Sequence, residues 1–183
     1  MFDPHTYQPI SSDVPVDDIA KVLQFATRQR EGLGLRVGNR AEFTLVAPVI
    51  QPHGPATFRE RAVKAQTEAA YWEGRLGTVH DLRVCLINDD KHVLFAATYS
   101  DEFKPYVLDV IRVAAPWIDH MFGDVAVDYP GLASAGAVAY IAKYQVEAQV
   151  WYGGPNPEAT PRDITKGLEV NAALGALLDA SQG

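Results

Sequence analysis

Among the five histidines in this 183-residue chain, His80 opens an alternating apolar segment and is followed three residues later by Arg83, a cation that could share its chemistry. Imidazole titrates near neutrality and can serve as acid, base or ligand, while a guanidinium grips a carboxylate through paired bonds. We take His80 and Arg83 as the catalytic candidates. The plainer reading of the same residues is a turn hydrogen bond at His80 and an ion pair from Arg83 to Glu42 or Glu147. Asp119-His120 falls near the end of a helical segment, where a cationic imidazole complements the helix dipole or ligates a cofactor. His5 lies in the N-terminal arm, and His53 and His92 lie in or beside turns.

No two histidines have the helical spacing of a zinc protease, and Cys85 has no second cysteine to join it, so no metal site is expected. Cys85 sits mid-strand in apolar company and reads as a small hydrophobe. Trp117, Tyr99, Tyr140, Tyr144, Trp151 and Tyr152 can line a pocket for a flat ligand or fill a core. His120, Trp151 and Tyr99 are the cofactor-binding candidates. The motifs of serine hydrolases, P-loops and dinucleotide folds are absent.

The elements that must position these residues can be read from periodicity. Residues 1–16 form an extended arm rich in Pro, Ser and Asp; residues 17–40 hold a helix with Ile19, Val22, Leu23 and Ala26 on one face, then a loop. A core over 41–152 begins with an alternating strand at 42–50, followed by an Ala-rich helix from Ala56 to Trp72. Strands His80–Asn88 and His92–Tyr99 flank Asn88-Asp-Asp-Lys91, which predicts a β-hairpin. A second helix runs from a cap at Ser100 or Asp101 to about Met121, with Pro116 expected to kink or split it. A short helix at 135–143 and a last strand at 146–152 close the core. Thr160 then caps a terminal helix within 158–180 that turns Ile164, Leu168, Leu174 and Leu177 towards a core. Strand, helix, hairpin, helix, strand is the order of an α+β domain: one antiparallel sheet with its helices on one face.

Sorting the strands by alternation gives one uniformly apolar set, from Phe43, Leu45 and Ala47 through Leu82, Val84, Leu86, Val93 and Phe95 to Val146, Ala148 and Val150. The opposite set mixes Glu42, Arg83 and Glu147 with Val46, Cys85, Leu94, Ala96 and Trp151. That mixture is too apolar for a free surface and too charged for a core, which suits a covered pocket or a subunit interface.

The formal charge of -7 and the lack of a basic run argue against nucleic acid. No run of roughly eighteen apolar residues is present to span a membrane. A lone cysteine and an N-terminus without an apolar segment lead to an expectation of a cytoplasmic protein.

Several short motifs carry a resemblance across about residues 42–178: Phe43-Thr-Leu-Val-Ala-Pro-Val, Leu76-Gly-Thr-Val-His-Asp-Leu-Arg83, Leu94-Phe-Ala-Ala-Thr-Tyr-Ser100, Tyr106-Val-Leu-Asp109, Tyr129-Pro-Gly131 and Val150-Trp-Tyr-Gly153. They resemble a bacterial group of ferredoxin-like proteins, and more distantly the dimeric α/β-barrel families of small monooxygenases, haem-degrading enzymes and dye-decolorising peroxidase halves. The resemblance implies a ferredoxin-like βαββαβ fold with extra terminal helices, pairing sheet to sheet as a homodimer around an apolar or aromatic small molecule. It also implies oxidoreductase chemistry of monooxygenase or haem-linked type, with His80 or His120 as ligand or base and Arg83 as anion clamp. The alternative is a non-enzymatic assembly or ligand-sensing protein. The peroxidase signature G-x-x-D-G is absent, and Thr98-Tyr99-Ser100-Asp101 stands where the group reads Asn-Phe-Asp-Gly.

Overall fold

The computed structural model describes residues 27–28 and 34–181. The arm at 1–16 and the beginning of the helix expected from Asp17 lie outside the described residues. Where that helix was expected to continue, Thr27–Arg28 forms strand β1 instead, pairing with β2 (Leu35–Val37). The loop expected up to residue 40 also contains β2, which turns through Gly38-Asn39 into β3 (Arg40–Pro48). Gly38 has φ 58°, the left-handed conformation that this tight hairpin requires of its first turn residue.

Helix α1 spans Gly54–Leu76, passing through Gly74 and ending where Gly77 turns left-handed at φ 38°. The expected hairpin follows as β4 (Val79–Ile87) and β5 (His92–Ser100), with Asn88, Asp89 and Asp90 at positive φ and the Lys91 N–H donating to the Asn88 carbonyl at 3.1 Å. Helix α2 (Phe103–Phe122) is continuous through Pro116. That proline lies on the exposed side, where water can serve the carbonyl its missing N–H leaves behind. Helix α3 (Ala137–Tyr144), β6 (Gln145–Val146) and helix α4 (Pro161–Ser181) complete the chain.

The sheet is open and wholly antiparallel in the order β1-β2-β3-β5-β4, with β6 also on β3. Helices α1, α2 and α3 cover one face, where Phe43, Val93, Phe95 and Tyr99 meet Phe58, Tyr106, Ile118 and Ile141. The core is built on rings: Phe43 stacks on Phe95 and meets Tyr99, Phe103 and Tyr106 edge-on, and Tyr99 lies flat on Tyr106 at 4.1 Å.

Two expectations need correction. The last strand does not reach 152: β6 is only two residues long, and Val146 and Val150 are exposed rather than packed beneath the helices. One side of β3 belongs to β5; on the other, β6 pairs at Thr44 and Leu45 while β2 already holds Arg40 and Ala41. The edge is taken before β6 can run on to 152. Nor does α4 turn its leucines inward. Thr160 and Asp163 form a reciprocal capping box that starts it, yet the helix buries no side chain, and Ile164, Leu168, Leu174 and Leu177 all stand exposed. No helix among the described residues is long and apolar enough to cross a membrane.

Candidate functional site: a polar cluster on the uncovered sheet face

Parity along β4 puts His80 on the same side as Leu82 and Val84, under the helices. A β-bulge reverses this. Val79 pairs with Tyr99 and Asp81 with Thr98, so the register shifts across His80 and the imidazole emerges on the outer face. There its Nε2 lies 2.8 Å from the Oγ of Ser100, which is fully buried. Ser100 faces Arg40 directly across the β3–β5 ladder. The Arg40 Nη1 donates to the Gly153 carbonyl at 2.6 Å, while its Nε is buried without an acceptor among the described residues. Glu42, next along the same face, accepts from the Leu35 N–H at 2.9 Å.

The segment after β6 closes over this end of the sheet. Gly154 has φ 77°, and a Cβ there would lie 2.9 Å from the Arg40 guanidinium; a Cβ on Gly153 would press on Val37 and the Trp151 ring. Glycine lets the backbone seat on Arg40 and leaves Trp151 half-buried beside it.

Burial first, and then the charge of Arg40, push the His80 pKa down to about 4 against an opposing pull from Asp81. Burial raises the pKa of Glu42, opposed by hydrogen bonds from Leu35 and Thr44. At neutral pH the cluster therefore offers a neutral imidazole beside a fixed cation with an unused N–H. Ser100 is too deeply buried to act as a nucleophile, and its hydroxyl instead orients the ring. The arrangement suits holding an anionic group while donating or accepting one proton at His80.

A pH prediction follows. Because the folded-state pKa of His80 is lowered, its contribution is intact above the unfolded value near 6.5 and is lost as pH falls towards about 4. After discounting for the solvent-exposed part of the ring, we expect about 1 kcal/mol of stability to go over that range. Urea melts at pH 7 and 4.5 should show His80→Gln losing less than the native protein. Equal losses would mean that His80 is not held neutral.

The structure separates the other candidates. Arg83 sits opposite Ala96, four residues along β5 from Ser100 or roughly 13 Å at strand spacing, and also lines a cleft beside α1. It makes no ion pair or hydrogen bond among the described residues, to Glu42, Glu147 or any other group. Tyr99 is fully buried on the helix side of the sheet. His120 is exposed in the last turn of α2, about 20 Å along that helix from the Tyr106 that packs on Tyr99. Tyr99, His120 and Trp151 thus do not converge on one cavity, and the haem that the resemblance admits as a cofactor, without requiring it, finds no assembled set of ligands in them. Cys85 is exposed on the outer face.

Sequence reasoning missed Arg40 and the part played by Ser100. The dipeptide Gly38-Asn39, a hairpin signal, would have placed Arg40 at the start of a strand. The bulge that brings His80 to Ser100 left no comparable mark.

The geometry defines an α+β protein with an open antiparallel sheet, helices on one face and a buried polar cluster at one end of the other. Comparison with protein-family models, with curated proteins and with solved structures found no match in any of the three.

Proposed function

We propose that this chain is a ferredoxin-like protein of dimeric α/β-barrel type that binds an apolar or aromatic small molecule bearing an anionic group on its outer sheet face, under a second copy of itself. The strand order β6-β3-β5-β4 supports the fold part of this reading, being fourth, first, third and second among the core strands. One observation carries the ligand part: the neutral His80 beside Arg40, whose Nε is buried without an acceptor among the described residues, at the end of a strip holding Val46, Leu94 and Ala96. The cation and imidazole take the anionic group, and the strip takes the apolar body.

An anion at Arg40 offsets the charge that depresses His80, so binding raises the imidazole pKa above about 4. Titration with 2-naphthoate, followed by the His80 ring signals in NMR across pH, should show that rise saturably. Arg40→Gln should abolish it. An unchanged His80 titration at saturating 2-naphthoate would sink the reading.

The dimer part has its own probe. Cys85 is the only cysteine and is exposed in the single chain. A second copy on the outer face should slow its alkylation by N-ethylmaleimide at least ten-fold, with full reactivity on dilution to monomer. A rate matching that of a free thiol at high protein concentration would exclude the covered face.

A second reading, assembly without chemistry, is favoured by α4. Its apolar side chains expose on the order of 600 Å², close to the roughly 800 Å² that a stable interface takes from each partner. In both readings the occupant is another copy of this chain.

A further inference from the structure

A hollow of about 70 Å³ lies between the helix side of β3 and β5 and the underside of α2 and α3, across the sheet from the His80 cluster. Protein interiors keep few spaces larger than a water molecule, because side chains interdigitate to fill them. Here a run of rings prevents that. Tyr106, Phe43, Phe95, Phe122, Tyr129 and Tyr140 all line the hollow, and each touches the next with centroids 5.5 to 6.1 Å apart. The run is held at both ends. Tyr106 lies flat on Tyr99 at 4.1 Å, the Tyr129 hydroxyl donates to the Asp119 Oδ1 at 2.6 Å, and the Tyr140 hydroxyl donates to the Val127 carbonyl at 3.2 Å. Flat rings braced in this way cannot fold into the space as a flexible side chain could.

The same bonds engage the Tyr129 and Tyr140 hydroxyls elsewhere, and the wall is apolar almost throughout. A buried water needs roughly two to four polar partners and finds no such set here. We propose that this hollow is a binding site for a neutral apolar molecule of about two or three heavy atoms, at roughly 25–30 Å³ for each, the class that includes dissolved dioxygen. An ion or an amide would leave its polar groups unpaired among the rings, and benzene, which suits a cavity of about 150 Å³, is too large. Leu45, Tyr129 and Tyr140 are half-buried, so the entrance lies beside α3 and needs no opening of the sheet.

Xenon, a single polarisable atom, is the probe. Methyl NMR of the full-length protein under rising xenon pressure should show saturable shifts at Val93, Val107, Ile118 and Ile141, all of which line the hollow. The methyls of Leu168 and Leu177, exposed on α4, should move only slightly and in proportion to pressure. That contrast needs no variant. Ala47→Leu adds three carbons to the wall and should abolish the saturable shifts, while the milder Val110→Ile adds one and should weaken them. Benzene should leave the same methyls unmoved in the native protein. The proposal is overturned by any of three results: no saturable xenon shift at these methyls, shifts that persist at native strength in both variants, or saturable binding of benzene at the same place.

Discussion

Phe43→Ala is expected to destabilise the fold by about 3–5 kcal/mol, the largest loss of any single truncation considered for this chain. Phe43 is buried at the centre of β3 and is the one ring in contact with Phe95, Tyr99, Phe103 and Tyr106 together. Removing it leaves a cavity that rigid rings cannot close, since each neighbour is itself held by another: Tyr99 lies on Tyr106, and Phe95 meets Phe122. The cavity would also join an existing apolar hollow of about 70 Å³ that Phe43 helps to line beneath α2 and α3. For a chain of this length the loss corresponds to a fall of roughly 6–20 °C in melting temperature. Phe43→Leu should cost less than half as much. If calorimetry shows Phe43→Ala melting within 2–3 °C of the native protein, this ring cluster is not the centre of the core.

Charging α4 should have the second large effect, and on a different quantity. Leu174→Asp with Leu177→Asp alters side chains that are 51% and 67% exposed, so the single chain should keep its stability to within about 0.5 kcal/mol. A symmetric dimer meets each change twice. At about 1.5 kcal/mol or more for each leucine lost from an interface, dissociation should be favoured by at least 6 kcal/mol, over four decades in Kd. Sedimentation or light scattering at matched concentrations would read this directly. The physical reason for expecting a partner lies in the helix itself. In proteins most helical stability comes from packing an apolar face, and a face with Leu168, Leu174 and Leu178 gains nothing from solvent. A native protein that is monomeric at every concentration, or a double variant that remains dimeric, would remove α4 from the interface. Retention of the 2-naphthoate response in a dissociated double variant would show that the outer-face site does not require the α4 contact.

A smaller but well-defined effect concerns Asp119, which lay beside the candidate His120 in the sequence and attracted no role of its own. Its Oδ1 accepts the Tyr129 hydroxyl at 2.6 Å and the Leu132 N–H at 2.7 Å, tying the loop after α2 to that helix. Asp119→Ala leaves both donors unsatisfied and should cost about 2–3 kcal/mol, whereas His120→Ala, exposed in the same turn, should fall within about 0.5 kcal/mol of native. Denaturant melts of the two variants would test the contrast.

How much of the site was legible follows from the same particulars. His80 and Arg83 drew attention by type and spacing, but spacing along a strand says only which residues alternate. A bulge between Val79 and Asp81 changes that parity, and it depends on how β4 docks against β5. Tyr99 was read as a pocket aromatic because rings line cores and ligand sites alike; only its stacking on Tyr106 places it under the helices. Arg40 matters because Ser100 lies across the ladder and Gly153 folds over it, a meeting of segments more than a hundred residues apart, 113 between Arg40 and Gly153.

The chain's own order of residues settled what is local: the β4–β5 hairpin from its turn residues, the helices from Gly54 onwards, the start of α4 from Thr160 and Asp163, and an α+β layout from the succession of elements. Tertiary structure alone decided what is shared between distant segments. It set which strand holds the edge of β3, which face receives His80, and that α4 finds no seat on its own body. Local propensity is written in each residue's backbone and side-chain preferences, whereas an edge, a register or a docking face exists only once a second segment has arrived to compete for it.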